Sequence, residues 1–121
     1  MKRDHGFTLI EVLIATAVIV VAMAAIATMA LTALRGVERN GERTAAVSLA
    51  QSRIEWLRSR PSGSLDAGST VEELTGPFAG YDRTTTIEPD TPRAGVEQVT
   101  ITVATPSGQT IRLATLIGRN Q

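Results

Sequence analysis

From Val12 to Leu34 the chain carries no charged residue, no glycine and no proline. Few structures can accommodate such a run: about 23 residues at about 1.5 Å each make a helix of about 34 Å, enough to cross a hydrocarbon core of about 30 Å. Its Ala, Val, Ile, Leu and Met composition also suits packing against other helices, because many small side chains let backbones approach closely. The sequence therefore predicts a membrane helix.

One residue sets this helix apart from a plain anchor. Glu11 follows apolar Phe7, Leu9 and Ile10 and precedes the long apolar run, and a carboxylate there is costly in lipid unless it has a partner. A cut after Gly6 would supply one, since the new α-amino group on Phe7 would be positive and about one helical turn from Glu11, or could reach Glu11 of a neighbouring copy. Lys2 and Arg3 before the run could also open a secretory signal peptide, but such a signal has an apolar region of only about 7–15 residues. A plain signal anchor would leave Phe7, Thr8 and Glu11 without a purpose.

The stretch Gly6-Phe7-Thr8-Leu9-Ile10-Glu11-Val12-Leu13 resembles the class III signal of type IV pilins and type II secretion pseudopilins. The resemblance covers Met1 to about Leu34 and is specific, because a short basic leader, Gly, Phe, Thr and Glu stand at fixed offsets before a long apolar helix. It implies cleavage by a prepilin peptidase between Gly6 and Phe7, N-methylation of Phe7, and pairing of Glu11 with the amino terminus of an adjacent subunit during filament assembly. The partners it implies are other pilin or pseudopilin subunits, the peptidase, an inner-membrane assembly platform and the membrane itself.

The positive-inside bias keeps the leader, residues 1–6, cytoplasmic and sends everything after Leu34 to the far side of a bacterial inner membrane. His5, the sole histidine, falls in the segment to be discarded. The chain has no cysteine and a formal net charge of zero over 121 residues, so disulfides and thiolate sites are excluded and no polybasic surface for nucleic acid is expected. An exported domain of this kind must be held by packing.

After Leu34 the chain turns polar, with Gly36 and Gly41 lowering helix propensity by about 1 kcal/mol each, and a bend or weak spot is expected there before the helix continues. From Thr44 to Arg58 the apolar residues Val47, Ala50, Ile54 and Leu57 form one face of an amphipathic helix, with Trp56 beside it, either as an interface anchor or as an aromatic closing the helix on a sheet. Pro61 with Ser62, Gly63 and Ser64 ends the helix at about Arg60. Residues 61–80, including Val71–Leu74, read as loop.

Tyr81 to Glu88 is bounded by Gly80 and Pro89 and reads as a Thr-rich strand. Val99, Ile101 and Val103 alternate with polar or small residues, Thr105-Pro106-Ser107-Gly108 supplies a turn, and Ile111, Leu113, Thr115 and Ile117 alternate again: a hairpin. The expected fold is α+β, a long N-terminal helix, transmembrane over 7–34 and amphipathic over 35–60, packed on a small antiparallel sheet within 61–121. This agrees with the architecture the resemblance implies, and the helix segment Ala50–Arg58, the short globular part and the hairpin are most similar to the small I-type minor pseudopilins and V-type minor pilins. Glu11 argues against the K-type tip pseudopilin, which lacks that acid.

An enzyme is not indicated, since no nucleophile stands with a base and no phosphate loop follows a strand. No cofactor is called for. Asp82, Glu88 and Asp90 are close in sequence, but a calcium ion takes about six to eight oxygens and no metal site is assigned to them. Arg83, Arg93, Arg112 and Arg119 could form a basic face for nucleic acid, but the few aromatics and the neutral charge argue for separate solvated groups. The function expected is a structural minor subunit of a type II secretion pseudopilus, with a type IV minor pilin as the alternative.

Overall fold

The computed structural model describes residues 6–61 and 64–118. Lys2, Arg3, Asp4, His5, Ser62, Gly63 and Arg119 lie outside them. The helix α1 spans Leu9–Arg58, and four strands follow: β1 Gly68–Glu73, β2 Asp82–Pro89, β3 Val96–Ala104 and β4 Thr110–Gly118. The chain divides into two compact units, Met1–Glu38 and Arg39–Gln121.

In the first unit the helix starts at a cap. Thr8 precedes the first helical residue, its Oγ1 accepts from the Glu11 N–H at 3.3 Å and its carbonyl accepts from the N–H groups of Glu11 and Val12 at 3.0 and 3.2 Å, which satisfies donors that a helix start leaves open. The other hydroxyls of the apolar run turn back on their own helix: Thr16 donates to the Leu13 carbonyl at 2.9 Å, Thr28 to Ala25 at 2.8 Å and Thr32 to Thr28 at 2.9 Å. This back-bonding hides the polar atoms of an otherwise hydrocarbon surface. The expected weak spot at Gly36 and Gly41 does not interrupt the helix, which runs through both.

In the second unit the sheet is a meander in the order β1-β2-β3-β4, antiparallel throughout. The strict period of two in β3 sends Glu97, Val99, Ile101 and Val103 inward and leaves their neighbours half-buried. Register then places Thr85 and Leu113 beside Ile101, and Ile87 and Thr115 beside Val99. The core is Ala46, Ala50, Leu57, Tyr81, Val99, Ile101 and Val103, three residues of it from α1 and three from the central strand β3. The buried helix face is the predicted one with a single member exchanged: Ala50 and Leu57 are buried and Ile54 packs against the core, while Ala46 is buried and Val47 only half-buried.

Two connections fasten the sheet. Gly80 has φ of 87°, and a Cβ there would meet Pro106 Cγ at 3.2 Å, so the β1–β2 loop rests on the β3–β4 turn only because this residue is glycine. In that turn the Thr105 N–H donates to the Gln109 carbonyl at 2.8 Å and the Gly108 N–H to the Thr105 carbonyl at 2.9 Å, while Ser107 Oγ donates to Glu42 on α1. The strand β1 corrects the reading of 61–80 as loop. It pairs with β2 from Gly68↔Ile87 to Glu73↔Asp82, although none of its side chains is fully buried, because an edge strand needs only its neighbour's open N–H and C=O groups.

Candidate functional site

Gly6 and Phe7 lie just before the cap and are exposed, Phe7 at 82%. Among the described residues nothing lies within 4 Å of a Cβ built on Gly6, and its φ is outside the left-handed region. The fold places no demand for glycine there. Glu11 is exposed in the first turn of α1, where the helix macrodipole favours a negative charge. It is the only ionisable side chain between Phe7 and Leu34.

Behind Glu11 the apolar side chains of Val12, Leu13, Ile14, Val18 to Val21, Met23, Ile26, Met29, Leu31 and Leu34 are all exposed. A contiguous apolar surface of this extent marks a lipid- or protein-facing face. The helix is long and apolar enough to cross a membrane, and none of its most apolar window is buried among the described residues. The structure thus brings Gly6, Phe7 and Glu11 together at one end of an uncovered hydrocarbon helix. It also assigns Thr8 the cap, a role the sequence reading left unstated although Thr-x-x-Glu is the pattern of a capping box.

The other candidates do not converge. Asp82 and Glu88 sit six residues apart on β2, about 20 Å along an extended strand, and Asp90 is occupied by the Gly95 N–H at 2.9 Å in the β2–β3 turn. Among the described residues no group of three metal-ligating side chains is assembled. Arg83 and Arg112 fall on opposite faces of the sheet, since their partners Val103 and Thr102 are adjacent on β3. Arg83 faces inward, where it donates to Glu72 Oε2 from Nε at 3.0 Å and from a terminal nitrogen at 2.7 Å.

Trp56 does not close the helix on the core. It is 42% exposed and carries two guanidiniums against its ring, with the Arg53 and Arg60 carbons 4.3 and 4.0 Å from the centroid.

An exposed apolar helix that opens on a glycine the fold does not need, a capping threonine and a lone acid belongs to a chain with a specialised N-terminus, and comparison with protein families agrees. Residues 1–27 carry the prokaryotic N-terminal methylation motif. That motif is consistent with the type IV pilin and pseudopilin family, supports a structural prepilin-type subunit that is processed and assembled with other pilins, and fits a membrane-anchored chain. The architecture, one long helix and a four-stranded antiparallel sheet, is pilin-like. Comparison with curated proteins and with solved structures gave no match.

Proposed function

We propose that the chain is a minor subunit of a type II secretion pseudopilus. A prepilin peptidase cuts between Gly6 and Phe7 on the cytoplasmic side of the bacterial inner membrane and methylates the Phe7 amino group. Residues 7–34 hold the subunit in the membrane with the C-terminal part in the periplasm. Assembly then moves that helix from lipid into a bundle of related helices, and Glu11 meets the positive amino terminus of a neighbour.

The observation that carries this reading is the N-terminal methylation motif on a helix whose apolar side chains are exposed from Phe7 to Leu34. Burial in lipid is worth about 1.5–3 kcal/mol for each large apolar side chain, so extraction is feasible only into a partner surface equally apolar. A helix bundle supplies one. The cost of holding a carboxylate at the start of a lipid-embedded helix is then offset by the amino terminus of a neighbour, a partner additional to the chain's own Phe7 amino group. The glycine at the cut, which the fold does not require, suits a small pocket in a protease. The short second unit, a helix end and a four-stranded meander, supports a minor rather than a major subunit.

The deciding experiment deletes this chain alone from its host and compares the proteins of the culture medium and the sheared surface filaments with wild type. Loss of secreted proteins with filaments intact is the expected outcome. Loss of filaments with secretion intact would make the chain a type IV minor pilin, and no change in either would overturn both readings.

A further inference from the structure

At the C-terminal end of α1, Arg53, Trp56 and Arg60 recur at spacings of three and four residues and so share one helix face. They form one wall of a cleft of about 160 Å³, whose other wall includes Ser64, Thr70 and Thr85. Two polar atoms on these walls lack a partner although they are buried: Nε of Arg53 and Oγ1 of Thr85. Thr85 is only 3% exposed. An orphaned buried donor costs about 1–3 kcal/mol, and here both orphans belong to residues that line the same cleft.

The chemistry of the walls selects what that is. The Arg53 Nε–H can only donate, and the Arg60 guanidinium, held against the indole, has no ion-pair partner among the described residues. Among the described residues that line the cleft the charged ones are Arg53, Arg60 and Asp66; Glu72, outside the lining, lies 3.5 Å from the terminal nitrogen of Arg53 and is also held by Arg83. Two guanidiniums therefore face one carboxylate in the cleft. A cation is disfavoured by that balance, and an apolar group would leave both orphans unpaired. A water would satisfy the orphans but gain nothing from Arg60, and at about 30 Å³ each several would be needed to fill the space. Planar guanidinium forks and a hydroxyl are matched by an oxygen anion.

We propose that this cleft binds a small oxyanion, a carboxylate or phosphate group, between the two guanidiniums of the α1 terminus and the Thr85 hydroxyl. The proposal does not rest on the pseudopilin reading. Trp56 is the only tryptophan in the chain, so its emission reports the site directly.

The test titrates the full-length chain in detergent micelles with sodium acetate and, separately, sodium phosphate, each against sodium chloride at equal ionic strength, following Trp56 emission. A saturable change that chloride does not produce is expected. Acetate as the tighter ligand would assign the site to a protein carboxylate, and phosphate as the tighter one to a phosphate group. Thr85→Val and Arg60→Gln should each raise the midpoint about tenfold. Arg60 lies on the exposed helix end outside the core, so its variant decides the matter if Thr85→Val fails to fold by circular dichroism. A response no different from chloride, as for a cleft holding ordered water only, or an unchanged midpoint in the folded variants, would overturn the proposal.

Discussion

At the scale of single residues, Glu72 does the most to fix the second unit. Its Oε2 accepts two N–H groups of Arg83 on β2, and its Oε1 lies 3.5 Å from Arg53 on α1, so one carboxylate joins the edge strand to its neighbour and to the helix. The side chains are partly shielded, 33% exposed for Glu72 and 16% and 18% for the arginines, which puts the pair between a surface bridge and a buried one. Replacing Glu72 by Gln keeps the shape and removes the charge, leaving two shielded guanidiniums short of an acceptor. We expect a loss of about 1–2 kcal/mol, read as a lower urea midpoint for the full chain in micelles by Trp56 emission. Amide exchange in β1 should rise with it, since that strand buries no side chain fully. An unchanged midpoint would mean that the ladder alone holds β1.

At the scale of elements, α1 is longer than its own sequence justifies between Arg35 and Arg43. Gly36 and Gly41 are helical, no atom lies within 4 Å of a Cβ at either, and neither has the left-handed φ that would require glycine. Gly36→Ala and Gly41→Ala should therefore stabilise the helix locally by about 1 kcal/mol each. In hydrogen exchange the amides of residues 34–45 should slow about fivefold per substitution, whereas equal rates would show that helix propensity does not limit opening there. The same local terms explain what could be read from the sequence. The β3–β4 hairpin was legible because each strand turns its own alternate side chains toward the core, and the N-terminal methylation motif was legible because its residues lie close together in the chain, within residues 1–27. The strand β1 was not, since GSTVEE has one apolar residue and its pairing is dictated by β2. The helix face was legible from its spacing, since Ala50 and Leu57 are buried and Ile54 packs on the core; hydropathy misled only at Val47, which is half-buried while the adjacent Ala46 is fully buried. The cleft beside Trp56 was hidden because Thr70 and Thr85 reach Arg53 only through the register of two strands.

At the scale of the whole molecule, two kinds of surface coexist in one chain: a unit with its own core and a helix whose apolar side chains are uncovered from Phe7 to Leu34. The second kind must be satisfied from outside, first by lipid and then, on the proposed reading, by other subunits. Two substitutions separate these stages. Gly6→Leu alters the residue before the cut, and a side chain there meets no atom within 4 Å among the described residues, so the precursor should accumulate uncleaved in the membrane by immunoblot; normal processing would remove the leader assignment. Glu11→Ala should do the reverse. The cut lies four residues away, so cleavage proceeds, but the only ionisable side chain of the apolar segment is gone and the incoming helix has nothing to fix its depth against a neighbour's amino terminus. A charge-assisted pair is worth about 1.5–3 kcal/mol, which corresponds to at least about a tenfold drop in the mature subunit recovered with assembled filaments relative to that in membranes. Glu11→Gln separates charge from shape: it should fail as Glu11→Ala does if the pair sets the register, and normal recovery of the Gln variant would leave the carboxylate as no more than a favourable charge at a helix start.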